Sequence, residues 1–464
     1  MRSWLSSCGL LLCCGMAACG GSARDSTTIA VTPTVPPPPV TLALISLQPS
    51  GAQFTDPLAL QVVPNGITPD GRYIQFTVAS HQVNLDSSTV DYLRDTCAGA
   101  ASCATSTSAL ASAGFSFDLG TAGGTEVTGL SAAANLMAVT EFALLAPGIP
   151  GFSASAEVRT SCVGDVSCTP TISFIVNDHR SHAISANGRF LLASSLFVNT
   201  SLPSPLQLYD SCVGASGCTS QLLWTGPQTK SRPSLAGEDQ YVVFDSDDST
   251  IVAGDTNGVT DVFLSFTCVG APAGCVQQNV GISVSTDGSQ ANGASSSPAV
   301  SASGRYVTFT STASNLAAND TNGASDVFLR DTCVGAPAEC QLSTARVSVA
   351  TDGTEANGSS SSGILSVSDD GRFVVFESSA PNLVANDTNG VSDVFLRDTC
   401  IGASSCTPST VRLSVSDAGA QGNGASSSAM ISGDGNYIVF ASAASNLVLA
   451  DTNTQQDVFV KQRR

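Results

Sequence analysis

Between residues 294 and 353, short apolar runs alternate with clusters of Gly, Ser, Asn and Asp. Residues 298–303, 305–311, 326–331 and 345–350 are rich in Val, Phe, Tyr and Thr and are bounded by turn formers, which predicts four strands. The second and third runs, with YVTF and DVFL at their centres, are too apolar for a sheet with one wet face. They predict strands covered on both sides, as when sheets stack on sheets. The pattern returns nearly letter for letter over residues 362–419. Four-stranded self-similarity at a period of about 50 to 65 residues predicts a propeller rather than a solenoid of helices.

A Gly-Arg-aromatic marker or its relative recurs at Gly71-Arg72-Tyr73, Gly188-Arg189-Phe190, Gly304-Arg305-Tyr306, Gly371-Arg372-Phe373 and Gly435-Asn436-Tyr437. Gln240-Tyr241 and Asn135-Leu136 fill two further slots in degraded form, which makes seven units. The last unit stops after its third strand, residues 457–460, and residues 41–46 read like the fourth strand that it lacks. Pairing of the N- and C-terminal strands in one blade would close the ring and remove its exposed edges.

The SxSxDGRYVxFxS…DTNGxxDVFLRD pattern resembles the TolB-like, WD-repeat-like propeller repeat of exported bacterial proteins. The resemblance is strong over residues 283–464, moderate over units one, three and four, and weak over 129–176. It implies an all-β, seven-bladed propeller of four-stranded blades and no single activity, because propellers host many functions. A role in an envelope protein complex is what it favours. Unit two lacks DTNG and has SAAANLMAV in place of SASGRYVTF, so it is either a divergent blade or an irregular insert in a six-bladed ring.

Residues 1–18 carry Arg2 and a short apolar run, and read as a secretory signal too short to span a membrane. Met16-Ala17-Ala18-Cys19 resembles a lipobox, which implies lipidation of Cys19; a non-lipidated signal cleaved further along is the alternative. Gly20 after Cys19 favours the outer membrane by analogy with enteric sorting. Residues 19–40, with four prolines at 36–39, are a Gly/Ser/Pro-rich tether, and 41–464 are the propeller domain. Acids outnumber bases 37 to 18, for a net charge of −19. That balance excludes a basic nucleic-acid footprint and electrostatic docking on anionic lipid, leaving the lipid anchor as the membrane contact of an expected monomer.

Twelve cysteines form close pairs after the third strand of each of six units: Cys97 with Cys103, Cys162 with Cys168, Cys212 with Cys218, Cys268 with Cys275, Cys333 with Cys340, and Cys400 with Cys406. Even number, regular placement and an export signal predict local disulfides. Zinc would need partner histidines, and the chain has only His81, His179 and His182. His179 and His182, beside Asp178, are the one further metal candidate.

The sharpest chemical motif is D-x-N-G-x-x-D between strands two and three: Asp255, Asn257 and Asp261; Asp320, Asn322 and Asp326; Asp387, Asn389 and Asp393. A fourth copy, Asp451, Asn453 and Asp457, lacks the Gly. Oxygen donors at alternating positions with a Gly at the turn resemble half of a calcium loop. The bidentate Glu of a full loop is missing, and Asn-Gly with Asp also makes an ordinary tight turn. Both readings stand at the sequence level, with calcium as the candidate cofactor. Propeller topology puts these loops and the joins between blades on one face, the expected binding face. The sequence predicts no catalytic residues: no Gly-x-Ser-x-Gly elbow accompanies the histidines. The expected function is a cell-envelope binding scaffold for a protein partner. The alternative is a hydrolase or lyase working on an extracellular polymer from the central funnel.

Overall fold

Strand two of each blade runs alongside strand three, and both are buried because blades cover them from either side. The computed structural model describes residues 42–463, apart from 49, 56–60, 82–86, 99, 101–102, 116–122, 145–151, 162–170, 196–204, 237–239, 272–273 and 361–365. The described strands form seven antiparallel four-stranded sheets. Their blades span 61–115, 123–177, 179–228, 234–281, 295–346, 366–412 and 426–462. The last takes its outermost strand from the N-terminal side, with Leu42 opposite Lys461 and Leu44 opposite Phe459. The chain is a seven-bladed β-propeller closed by its own ends.

Unit two is a complete blade, of strands Gly123–Leu130, Leu136–Leu144, Phe152–Thr160 and Ile172–Asn177. No irregular insert is needed. Two predicted strand limits shift. In blade 5 the first strand is Ser295–Val300, because the Ser301 hydroxyl accepts the Tyr306 N–H and opens the turn three residues earlier than the apolar run implies. The fourth strand is Ser343–Arg346, because Val347 turns its N–H to the Val327 carbonyl and the Ser348 hydroxyl accepts the N–H of Val327 itself.

Within blades the repeated Phe residues stack across strands two and three. Phe244–Phe263, Phe309–Phe328, Phe376–Phe395 and Phe440–Phe459 have ring centroids 5.6–5.8 Å apart. All eight rings are essentially inaccessible, and burying each such ring stabilises the fold by roughly 2 to 3 kcal/mol.

Between blades the marker turn explains its own sequence. Gly371, at φ 73°, lies against the ring of Tyr306 one blade earlier, and a Cβ there would come within 2.5 Å of that ring. Gly304 meets Tyr241 and Gly71 meets Tyr437 in the same way, the latter across the closure; Gly188 meets Leu136, which does the aromatic's work in blade 2. The marker arginine covers its neighbouring ring at 4.8–5.1 Å and forms a forked pair with the Asp of the DTC segment or its relative: Arg72–Asp95, Arg189–Asp210, Arg305–Asp331 and Arg372–Asp398. That Asp also accepts the N–H of the first cysteine, for example Cys333 at 2.9 Å, which starts the disulfide hairpin. Blade 4 lacks both charges, and Tyr241 stacks on Phe266 at 5.3 Å instead.

Five predicted disulfides are present, Cys97–Cys103, Cys212–Cys218, Cys268–Cys275, Cys333–Cys340 and Cys400–Cys406. The sixth expected bridge, between Cys162 and Cys168, is not among them, because Cys162 and Cys168 both fall in the 162–170 segment outside the described residues. Cys19, the signal and the tether lie outside the described residues as well.

Candidate functional site

The D-x-N-G-x-x-D loop is built by three side chains with separate tasks. The last Asp is a latch between strands three and four. Ser283, Ser348 and Ser414 donate to Asp261, Asp326 and Asp393 at 2.5–2.6 Å, and each hydroxyl accepts the N–H of the following strand-three residue. Ser46 serves Asp457 likewise. The Asn makes the turn: the side-chain oxygens of Asn257, Asn322 and Asn389 accept the N–H two residues on, at 2.7–3.1 Å. Their amide nitrogens donate to the latch Asp and to a carbonyl of the join.

The first Asp is held from the join, by residues outside the D-x-N-G-x-x-D motif. Gln290 donates to Asp255 at 2.7 Å and Gln421 to Asp387 at 2.8 Å, while their side-chain oxygens accept the N–H of Thr256 and Thr388. In blade 5 the equivalent is Glu355, which receives Thr321 but has no amide to give. Arg346 supplies the charge there. Its Nη1 lies 2.5 Å from Glu355, 3.4 Å from Asp326 and 3.5 Å from Asp320, and its Nη2 donates to the Asn319 carbonyl at 2.9 Å. In blade 6 Arg412 Nη1 stands 3.2 Å from Asp387 and 3.4 Å from Asp393. Aligning the repeats at RVSV, RLSV and GISV would have exposed this position.

Burial, and then the neighbouring charge of Asp326, push the Asp320 carboxyl up to about 6 despite Arg346. Burial raises Asp387 and Asp261 as well. In blade 7 burial holds Asp457 at about 6. In blade 5 Asp320, Asp326 and Glu355 bring carboxylate oxygens within 4.8 Å of one another, the spacing of a cation site. In blades 5 and 6, however, the Asn oxygens face their own turns and Arg346 or Arg412 stands among the carboxylates, where it competes with calcium. In blade 4, Asp255 and Asp261 stand together with no cationic side chain in ion-pair range among the described residues.

Loops and joins share one face, as topology requires. Asn292 and the 314–315 segment exchange hydrogen bonds at 2.8–3.0 Å, and Asn423 bonds in the same pattern with 445–446. The result is a polar surface whose side chains are bonded to one another across the repeats. The opposite face carries the marker turns and disulfide hairpins.

A central cavity of about 300 Å³ touches the innermost strands of several blades and is lined by Asn65, Thr128, His182, Arg232, Leu235 and small residues such as Ser234 and Ala299. Arg232 donates to the Thr128 carbonyl. His182 bonds Ser194 at 2.7 Å, and burial followed by the charges of Arg180 and Arg232 push it down to about 3, so its imidazole is neutral at physiological pH. His179 instead bonds Gln207 and Tyr209. The two histidines therefore have separate partners and do not converge on one point; His81 lies on the second strand of blade 1.

No family model matches the chain, and no curated protein matches it. Solved structures do. A prolyl endopeptidase matches over 87% of this chain and 50% of its own, at 14% identity and a TM-score of 0.45. TolB from Acinetobacter baumannii matches over 85% and 80%, at 12% and 0.34, and an oligogalacturonate lyase from Vibrio parahaemolyticus over 88% and 98%, at 9% and 0.43. The chain spans about half the length of the prolyl peptidases it matches.

Proposed function

We propose that this chain is a cell-envelope binding scaffold, anchored through a lipid on Cys19 and presenting its loop face to a protein partner. The observation that carries this reading is the loop face itself. Its Asp, Asn, Gln and Thr side chains are fixed by hydrogen bonds recurring in blades 4 to 7, so a partner meets polar groups already ordered and little side-chain entropy is lost on binding. The central cavity offers weaker support for chemistry. Its histidine is a poor proton carrier near neutral pH, and general acid–base catalysis works best with a group that titrates near the operating pH.

The test places a photo-crosslinking residue at Ser314 or Thr388 on the loop face and at Gly335 or Gly402 on the hairpin face of the full chain in its native cell. Discrete adducts from the loop face, in the membrane fraction and lost from it with Cys19→Ala, are expected. Adducts confined to the hairpin positions, or unchanged fractionation of Cys19→Ala, would remove the face or the anchor respectively.

A further inference from the structure

Four blades share the D-x-N-x-x-x-D loop, and besides Glu355 for Gln in blade 5 and Thr454 for Gly in blade 7 they differ at one position that faces its carboxylates. The residue before the latch serine's apolar neighbour is Arg346 in blade 5 and Arg412 in blade 6, paired across the sheet with Phe328 and Phe395. In blade 4 the residue paired with Phe263 is Gly281, and in blade 7 the residue paired with Phe459 is Leu44. Both arginines reach the same place, between the two loop carboxylates, with Nη2 on the carbonyl of the residue before the first Asp. The loop thus binds a guanidinium wherever the chain provides one.

Blade 4 keeps the receptor and lacks the ligand. Where the arginine would run there is a cavity of about 340 Å³, lined by Gly254, Asp255, Asp261, Val280, Gly281 and Gln290. Gly254 occupies the position whose carbonyl takes Nη2 in blades 5 and 6. Val280, with 47% of its surface exposed, and the buried Phe263 provide an apolar wall suited to the methylenes of an arginine, which a bare metal ion would not use. Blade 7 shows the same carboxylates with no ion-pair partner among the described residues: Asp451 is 8% exposed and its Oδ2 is buried with no hydrogen-bond partner among them.

We propose that the blade 4 cavity is a binding site for an external guanidinium group, which takes the place that Arg346 and Arg412 fill in the sister blades. This rests on the reading of the loop face as the binding face and names the partner chemistry that it would recognise. A planar fork can bridge Asp255, Asp261 and the Gly254 carbonyl together; a lysine ammonium, a point charge, cannot match that geometry.

The full chain is titrated calorimetrically with L-argininamide, L-lysinamide and calcium chloride. Argininamide is expected to bind at least tenfold more tightly than lysinamide, at least tenfold more weakly to Asp255→Asn, and not detectably to Gly281→Arg. The last variant restores the internal ligand. A Cβ at Gly281 meets nothing closer than Val284 Cγ1 at 3.7 Å, so the side chain can enter, and the melting midpoint should rise. An argininamide isotherm unchanged by Gly281→Arg would overturn the proposal, as would calcium binding lost in Asp255→Asn with no heat from argininamide. Should Gly281→Arg fail to fold, Asp255→Asn decides alone: unaltered argininamide binding overturns the site. Acetyl-Gly-Arg-Gly-amide separates the sources, since binding tenfold tighter than argininamide identifies a protein side chain and equal binding identifies a small free guanidine. Loss of argininamide binding with loop-face crosslinks intact overturns this pocket and spares the scaffold reading; the reverse result does the opposite.

Discussion

A single glycine in each marker turn carries two constraints that can be separated by mutation. Gly371 at φ 73° and Gly390 at φ 69° share a left-handed backbone, but only Gly371 faces a neighbouring ring; a Cβ on Gly390 meets open space. Alanine at Gly390 should therefore cost about 1 to 2 kcal/mol, the conformational term alone. Alanine at Gly371 should cost about 1 to 3 kcal/mol more, from overpacking against Tyr306. Denaturant unfolding of both variants checks this, and equal losses would refute the inter-blade contact. The residue scale is also where the sequence was most readable. Gly-Arg-aromatic and D-x-N-G are local turn requirements, so they stand next to one another in the chain. Arg346 was not readable in this way, because the carboxylates it serves lie 9 to 26 residues away, on a loop and a join that meet only when the blade forms.

At the scale of elements, the latch aspartates tie strand three to strand four, and in blade 7 that bond joins opposite ends of the chain, Ser46 to Asp457 at 2.5 Å. Asp457 is fully buried and its carboxyl is held at about 6, above the ordinary 3.8. A folded-state pKa raised in this way means that the fold binds the proton more tightly than the unfolded chain does. The contribution is therefore fully present below about pH 4 and lost as pH rises through about 6. The melting midpoint should fall between pH 5 and pH 7, and Asp457→Asn should flatten that slope, with the remainder due in part to Asp320. An identical slope in the variant would show that the carboxyl does not titrate in this window. The strands themselves were legible from alternation and turn residues. Their ends were not, because Ser301 and Ser348 stop a strand with side-chain hydrogen bonds rather than with a change in hydropathy.

At the largest scale the propeller, residues 42–463, is a ring with two unlike faces. One is built of marker turns and disulfide hairpins, in which arginine and aspartate pair within blades 1, 3, 5 and 6. The other collects the acidic loops of blades 4 to 7, and much of the net charge of −19 that internal arginines do not offset. The count of seven and the closure were legible because each unit repeats one recognisable turn, and unit two remained ambiguous because Leu136 does an aromatic's work without an aromatic's signature. The face proposed for binding was legible only as topology; its ordering, by Gln53, Gln290, Glu355 and Gln421, came from the folded arrangement.

Binding through the loop face can be read by hydrogen exchange on the full chain, in native envelope membranes and after purification in detergent. Slower exchange is expected in the membranes at the loops and joins, residues 254–260, 287–294, 319–325 and 386–392, with the hairpins at 333–340 and 400–406 unchanged. Protection confined to those hairpins, with the loops exchanging equally in both states, would contradict it.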